Sequence, residues 1–263
     1  MDLLSKSLRM RVLDNGFIDM KGDYIMKHID YFKMQAKNLL KDWKAKKISE
    51  ESKTVEVKYF DVERVALDFN ISDEEFSLMK AQHIISKIAG CDKWAELINL
   101  PYQKLVLIRS KFSSNYLLTE QNKIRSGIAF LNDMAKDIYD IWEMRELDYV
   151  EEFEDGDDLN FYTYNSDEWD MMEIIISFDF DEENFTLEDA RSVIAYYAGL
   201  VNWNGINNLS AKELEYAILR LMNRNKIDPE EWDFLSGELI KMNGHLIDLD
   251  TEMSIFEEYY LKQ

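Results

Sequence analysis

The sequence predicts a mainly α-helical protein built from two tandem copies of a small helical module, with at most a minor β element. Residues 69–94 and 178–203 align without a gap at an offset of 109, and nine of the 26 positions are identical. Only two prolines and nine glycines occur in 263 residues, which is few for a turn-rich sandwich or barrel. Apolar residues recur at helical spacings of three and four.

The repeat extends upstream at a different offset. Residues 29–43 and 128–142 align at an offset of 99, and both segments end in tryptophan, at Trp43 and Trp142. Because the offset rises by ten before the next block, the second copy carries ten extra residues. We place this insertion near 149–167, a stretch rich in acidic residues, and expect it to form a surface loop.

This alignment predicts four parts. Residues 1–25 form an N-terminal appendage, with Met26 as an alternative start, and residues 227–263 form a C-terminal helical extension. Between them lie repeat unit 1 at 26–118 and repeat unit 2 at 119–226, which holds the insertion. Two interpretations stay open: the duplication preserves a stable fold only, or it provides two binding faces that have diverged.

The first helix of each unit is predicted from its apolar stripe. In unit 1 the stripe covers 28–46, and the helix at 128–145 repeats it in unit 2. Residues 54–69 are ambiguous, because their first half alternates like a strand and their second half fits a helical turn. Further helices are expected near these segments: 103–113, 211–224, 229–243 and 250–261.

The most similar block of the repeat carries the signals of a capped helix. Ser77 and Thr186 precede it as N-caps, and Asp189 stands at the capping-box position after Thr186. Gly90 and Gly199 stand where a left-handed C-terminal cap favours glycine. A short helix is expected to start at the tryptophan that follows in each copy: Trp94 and Trp203.

The first copy resembles a recurring pattern in uncharacterised bacterial helical proteins. That pattern is a Ser-capped helix carrying Ala-Gln, which ends at Gly and is followed by a Trp-x-x-Leu turn. The matching residues here are Ser77, Leu78, Ala81, Gln82, His83, Ile84, Ile85, Gly90, Trp94 and Leu97, preceded by the segment 35–40. The resemblance covers roughly 26–113 and, more faintly, the second copy. It implies a helical fold and no known activity.

Charge is distributed unevenly along the chain. Residues 1–120 hold 20 Lys and Arg against 18 Asp and Glu, a net +2, whereas residues 121–263 hold 11 against 34, a net −23, which sums to −21. Such asymmetry bears on partners rather than on fold. The single cysteine, Cys91, excludes an internal disulfide and is typical of the cytoplasm, and we expect it to be a small buried side chain. We predict no membrane span and no signal peptide.

The sequence predicts no catalytic residue, no metal site and no cofactor. The three histidines, His28, His83 and His245, show no metal-site spacing with one another or with cysteine. A lone helical histidine is more often a surface or satisfied residue than a catalyst. The glycine-rich phosphate and dinucleotide motifs and the nucleophile elbow do not occur. We therefore expect a non-enzymatic protein.

Four lysines form one stripe on the first helix, at Lys33, Lys37, Lys41 and Lys44. Such a stripe could follow a phosphate backbone, so we consider direct contact with RNA or another nucleic acid. A solvated helix face is the alternative, because the stripe lacks interleaved arginines and aromatic residues. The aligned positions of the second copy are Asn132, Lys136, Asp140 and Glu143.

The acidic second half suggests a surface for a basic partner. The residues expected to bind it are Glu151, Glu152, Glu154, Asp155, Asp157, Asp158, Asp181 and Glu182. Carboxylates displayed with aromatic side chains can occupy a groove built for nucleic acid. The leading hypothesis is an inhibitor or regulator of a basic, nucleic-acid-handling protein, in an anti-CRISPR-like or antitoxin-like role.

Two other functions remain open. A metal-dependent hydrolase could use the acidic loop, with Asp155, Asp157 and Asp158 near the metal, although the EF-hand order is not met. Alternatively, the protein is a structural helical module whose charge only keeps it soluble.

Overall fold

The computed structural model describes residues 26–46, 57–71, 76–149, 160–164, 166 and 168–261. This part of the chain is mainly α-helical, which confirms the predicted fold class. It falls into two compact units whose boundary follows Gly127. The predicted N-terminal appendage and most of the predicted insertion lie outside the described residues.

The described part of unit 1 starts with the predicted amphipathic helix. Its helices are α1 (26–46), α2 (Val62–Asp68), α3 (Leu78–Ile88), α4 (Trp94–Ile98) and α5 (Tyr102–Phe112). The apolar face of α1 lies in the core, where the Trp43 ring stacks on Phe76 with centroids 4.3 Å apart. Phe32 meets Phe112 edge to face at 5.5 Å. The ambiguous segment 54–69 resolves in its second half as a helix, α2.

The next helix, α6 (Glu120–Glu143), runs through the unit boundary. It starts eight residues before the predicted helix 128–145. Thr119 provides the local reason, because its hydroxyl oxygen accepts the backbone N–H of Asn122 at 3.3 Å. A threonine that satisfies a free amide in the first turn favours helix initiation at this point.

Unit 2 contains a short hairpin followed by helices. Strands β1 (Glu146–Tyr149) and β2 (Asn160–Thr163) pair antiparallel, with Glu146 opposite Thr163. The helices are α7 (Met171–Phe178), α8 (Leu187–Tyr197), a 3-10 helix (Trp203–Asn208), α9 (Ala211–Met222), α10 (Pro229–Asn243) and α11 (Leu249–Phe256), followed by a π-helical turn (Glu257–Leu261). This hairpin was not predicted, because the insertion near 149–167 was expected to form a loop, although aromatic residues and threonine favour strands.

The predicted helix caps are confirmed. The Ser77 side chain accepts the backbone N–H of Lys80, and Thr186 forms a capping box with Asp189. Trp94 begins α4 and Trp203 begins the 3-10 helix, also as predicted. The two units therefore start their most similar helices with the same local device.

The turns that end these helices also agree. Gly90 and Gly199 adopt left-handed φ values of 79° and 69°. The residue after each glycine donates its N–H to a carbonyl five residues earlier, at 2.8 Å in both units. Asn70 and Asp179, which also align at the offset of 109, are left-handed too, at φ 48° and 54°. These equivalences support a tandem duplication, which itself stays a prediction.

The C-terminal helices surround an aromatic cluster of their own. Trp232 of α10 and Phe256 of α11 pack edge to face at 5.0 Å, next to Tyr216 of α9. The indole N–H of Trp232 donates to the Tyr216 hydroxyl at 2.7 Å, and that hydroxyl donates to Glu252 at 3.0 Å. Buried donors that find partners hold α10 and α11 in register on α9.

Candidate functional site

The predicted acidic partner-binding residues are only partly described. Six of them lie outside the described residues: Glu151, Glu152, Glu154, Asp155, Asp157 and Asp158. Asp181 is exposed, and its carboxylate accepts from the Asn184 amide at 2.8 Å and from the Glu183 backbone N–H at 3.0 Å. These two hydrogen bonds lower the pKa of Asp181. Asp181 is therefore a negatively charged side chain in the loop between α7 and α8.

Glu182 accepts one hydrogen bond through its side chain and another through its backbone. Its carboxylate accepts the Tyr164 hydroxyl at 2.8 Å, and its backbone carbonyl accepts the Trp142 indole N–H at 2.8 Å. Tyr164 follows β2 directly, whereas Trp142 lies in the last turn of α6. Glu182 thus connects the hairpin to the helical part of unit 2, and it is only half-buried, so its charge remains near the surface.

The predicted lysine stripe is present on the surface of α1. Lys37, Lys41 and Lys44 are exposed, and Lys33 is half-exposed in an ion pair with Asp30 at 2.9 Å. The structure places an aromatic ring and an arginine beside the stripe, both of which the sequence pattern lacked. Lys41 Nζ lies 5.7 Å from the ring centroid of Tyr59, and Arg125 Cζ lies 5.7 Å from the same centroid. Both cations are within the distance of a cation–π contact.

A buried carboxylate holds the segment that carries Tyr59. Asp42, on the apolar face of α1, is 2% exposed. Its carboxylate accepts three consecutive backbone N–H groups, from Lys58 at 3.3 Å, Tyr59 at 2.6 Å and Phe60 at 2.9 Å. Hydrogen bonds to a charged acceptor are stronger than neutral ones, and they offset the cost of burying this carboxylate.

The other side of the same segment is held from the start of α6. The Thr119 hydroxyl donates to the Lys58 carbonyl at 2.8 Å, and the Thr119 backbone N–H donates to the Tyr59 carbonyl at 3.0 Å. The buried Asn122 amide donates to the Tyr59 carbonyl as well, at 3.0 Å. The backbone of Tyr59 is therefore fixed by both its N–H and its carbonyl, while the ring stays half-exposed.

Unit 2 has a cleft at the segment that aligns with the Tyr59 segment of unit 1. A cavity of about 730 Å³ opens where β2 ends and α7 begins. Trp169 and Tyr197 contribute its aromatic walls, with ring centroids 6.2 Å apart. Three carboxylates lie around it: Glu168, Asp170 and Glu173. Glu168 aligns with Tyr59 at the offset of 109.

Arg224 is the one cation among the described residues that line this cleft. Its guanidinium carbon lies 3.8 Å from the Trp169 ring centroid, and Nη2 donates to the Glu168 carbonyl at 2.8 Å. With three carboxylates and one guanidinium, the described lining residues have a formal charge of −2. Burial raises the pKa of Tyr197, Glu173 raises it further, and Arg224 opposes the shift. The cleft therefore favours cationic groups.

Unit 1 also buries a polar pair that joins α1 to α5. His28 is fully buried, and its Nδ1 lies 3.1 Å from Nη1 of Arg109, which is 1% exposed. Burial, with the nearby charges of Arg109 and Lys27, lowers the pKa of His28 to about 3. The imidazole is therefore neutral at physiological pH. His83, in contrast, is exposed on α3.

Neither the comparisons with known proteins nor the described residues point to a family, a metal site or a membrane span. Comparison with protein-family models, curated proteins and solved structures gives no match, so the resemblance to bacterial helical proteins stays a prediction. Within the described part of the chain, no three His, Cys, Asp or Glu side chains form a group that could hold a metal ion. Among the same residues, no helix is both long and apolar enough to cross a membrane.

Sequence reasoning missed most of the residues that shape these surfaces. Asp42 had a usable signal, because it falls on the apolar face of α1 between Leu39 and Trp43, where a carboxylate needs buried partners. Arg125 and Arg224 had none, since each reaches its aromatic partner through tertiary contact. Cys91 is buried in the core of unit 1, as predicted.

Proposed function

We propose that this protein is a non-enzymatic interaction protein that binds a basic partner through its acidic second unit. The cleft of unit 2 carries this proposal, because three carboxylates there surround an aromatic wall. A Lys or Arg side chain suits such a cleft: the carboxylates provide ion pairs, and the half-exposed Tyr197 ring provides a cation–π contact. The cleft begins where β2 ends, so it adjoins the predicted acidic insertion along the chain.

The basic side chains of unit 2 support the same proposal. Five of them form ion pairs within the unit, and two others lie against tryptophan rings: Lys136 with Asp140, Arg191 with Glu188, Lys212 with Asp250, Arg220 with Asp233, Lys241 with Glu238, Arg145 over Trp142 and Arg224 over Trp169. These cations are already engaged, whereas many acidic groups remain exposed. The surface offers its charge to an external cation.

The partner expected from this chemistry is a basic protein, and a nucleic-acid-handling protein is the concrete proposal. Inhibition or regulation of that partner, in the manner of an anti-CRISPR or antitoxin protein, remains part of the proposal. The cytoplasm is the proposed compartment, because the single thiol, Cys91, is buried and unsuited to a disulfide framework.

The test uses the full chain and a fluorescein-labelled oligoarginine peptide, with binding followed by fluorescence anisotropy. The double variant Glu168→Gln with Glu173→Gln removes two charges of the cleft. We expect its dissociation constant to rise about fivefold, because an exposed ion pair contributes about 0.2–1 kcal/mol. Raising NaCl from about 0.05 to about 0.15 M is expected to weaken binding of the unaltered protein, since salt screens such contacts.

The matched control is Glu183→Gln with Glu257→Gln, which makes the same charge change at exposed positions of unit 2 outside the cleft lining. We expect less than a twofold change for it. Equal weakening by both double variants would show that only diffuse negative charge matters, and the cleft proposal would fail. Peptide binding that is indifferent to salt would reject the proposed basic partner altogether.

A further inference from the structure

Unit 1 carries a second surface with the opposite charge. Helix α1 contains six lysines and two aspartates, a net +4 over residues 26–46. The stripe from Lys33 to Lys44 is about 16 Å long at the helical rise of about 1.5 Å per residue. Since Asp30 pairs with Lys33, the cations available for an external ligand are Lys37, Lys41 and Lys44. None of these three forms an ion pair within the described part of the chain.

An aromatic ring lies beside this stripe. Tyr59 is half-exposed, with Lys41 and Arg125 each 5.7 Å from its ring centroid. Arg125 belongs to the first part of α6, so the surface draws its charges from two helices. Lys58, exposed and next to Tyr59, adds another positive charge. An aromatic side chain among cations is the arrangement with which proteins bind single strands, because bases stack on the ring and phosphates meet the cations.

The backbone that presents the ring is held firmly. Asp42 accepts the N–H groups of residues 58–60, and Thr119 and Asn122 donate to the carbonyls of Lys58 and Tyr59. The side chain of Tyr59 takes no part in these hydrogen bonds. A buried carboxylate and a buried amide therefore position a residue whose ring is half-exposed. Such support is expected for a residue that binds a ligand.

The alternative ligands fit less well. A small anion would need several donors that converge on one point, whereas these cations are spread along a helix. Duplex nucleic acid would use the cations but would leave the ring without a base to stack on, because duplex bases are already stacked. We propose that this surface of unit 1, formed by Lys37, Lys41, Lys44, Tyr59 and Arg125, binds single-stranded nucleic acid, with a base on Tyr59 and phosphates on the cations.

The experiment measures binding of fluorescein-labelled oligouridine and oligothymidine to the full chain at about 0.1 M NaCl. At that ionic strength the Debye length is about 10 Å, so charges that lie farther than this from the bound strand are largely screened. Tyr59→Leu is expected to weaken binding about tenfold without changing the salt dependence, since stacking involves no counterion release. Tyr59→Phe keeps the ring and is expected to bind like the unaltered protein. Both variants leave the backbone hydrogen bonds of residue 59 in place.

The cations are tested separately. The triple variant Lys37→Gln, Lys41→Gln and Lys44→Gln is expected to weaken binding at least tenfold. It also lowers the slope of log affinity against log salt by about 2, at about 0.7 for each phosphate that the protein no longer neutralises. The control is a triple variant of three exposed lysines elsewhere in unit 1, with the same charge change: Lys93→Gln, Lys104→Gln and Lys111→Gln. We expect the control to keep most of the affinity.

Several results would overturn this proposal. They are no measurable binding by the unaltered chain, equal binding of duplex and single strand, undiminished binding by Tyr59→Leu, or equal losses in the two lysine variants. Circular dichroism and thermal melting establish that each variant is folded. The oligoarginine experiment tests unit 2 independently, so failure of one proposal is distinguishable from failure of the other.

Discussion

Residues 57–61 and 166–170 align between the two units, yet different groups hold them in place. In unit 1 the Asp42 carboxylate binds the amides of the segment, and Asn122 binds the Tyr59 carbonyl. In unit 2 the residue aligned with Asp42 is Ile141. There Arg224 binds the carbonyl of Glu168, and the Ser166 hydroxyl accepts the N–H groups of residues 168 and 169. The same backbone requirement is met by an anion in one unit and by a cation in the other.

This exchange changes what each segment can bind. In unit 1 the anion is buried, and the cations Lys41 and Arg125 lie over the half-exposed ring of Tyr59. In unit 2 the supporting group is itself the cation, it lies against Trp169, and the surface around it is left with carboxylates. The aligned positions therefore differ in the sign of the charge that they present, and the two proposed functions rest on this contrast.

The largest expected effect concerns Asp42. Asp42→Ala leaves three backbone N–H groups without their acceptor, and we expect the free energy of unfolding to fall by about 3–5 kcal/mol. Asp42→Asn retains one acceptor oxygen and is expected to lose about half as much. Urea unfolding followed by circular dichroism measures both. A loss below about 1 kcal/mol for the alanine variant would show that the carboxylate does not hold this segment.

A smaller effect is expected from His28, whose Nδ1 lies 3.1 Å from Nη1 of Arg109. The pKa of His28 in the folded protein is about 3, against 6.5 unfolded. The unfolded chain therefore binds a proton that the folded chain excludes, and stability is lost as the pH falls below about 6.5. Between pH 7 and pH 5 this group accounts for a loss of about 2 kcal/mol.

The measurement is urea unfolding at both pH values for the unaltered protein and for His28→Gln. The variant is expected to lack this part of the acid sensitivity, so the difference between the two proteins shrinks by about 2 kcal/mol at pH 5. His83→Gln, at an exposed position, is the control and is expected to retain the sensitivity. An unchanged pH dependence in His28→Gln would contradict the burial of a neutral imidazole.

The smallest expected effect compares Gly90 with Gly199. Both have positive φ, so alanine at either position is strained by about 1 kcal/mol. A Cβ at Gly90 meets open space, whereas one at Gly199 would collide with the guanidinium of Arg220, which pairs with Asp233 at 2.9 Å. We therefore expect Gly199→Ala to cost about 1 kcal/mol more than Gly90→Ala in thermal or urea unfolding. Equal costs would mean that Arg220 relocates freely.

Much of the fold could be predicted from short stretches of the sequence. Ser77, Thr186, Gly90 and Gly199 were correctly identified because caps and left-handed turns depend on the chemistry of one or two residues. The hairpin was missed because each of its strands is four residues long and an acidic run between them suggested a loop. The start of α6 was placed late, since the polar turn that begins at Glu120 has no apolar stripe of its own.

The residues of the candidate surfaces could also be predicted from the sequence only in part. The lysine stripe could be found from the sequence because its members lie on one helix at regular spacing. Tyr59, Arg125 and Arg224 could not, since their contacts join residues that are 18 to 66 positions apart: Tyr59 with Lys41, Tyr59 with Arg125, and Arg224 with Trp169. No local pattern encodes such pairs.

By itself, the sequence determined the helical class, the aligned blocks, the caps of the similar helices and the contrast in charge. These properties follow from composition and from short-range spacing, which a helix of known pitch converts directly into faces and ends. Only the tertiary structure decided that a buried aspartate presents Tyr59 among cations, and that Arg224 and three carboxylates share one cleft. Those arrangements depend on which helices pack together, because packing brings distant side chains within a few ångströms and sets the charge that each surface retains.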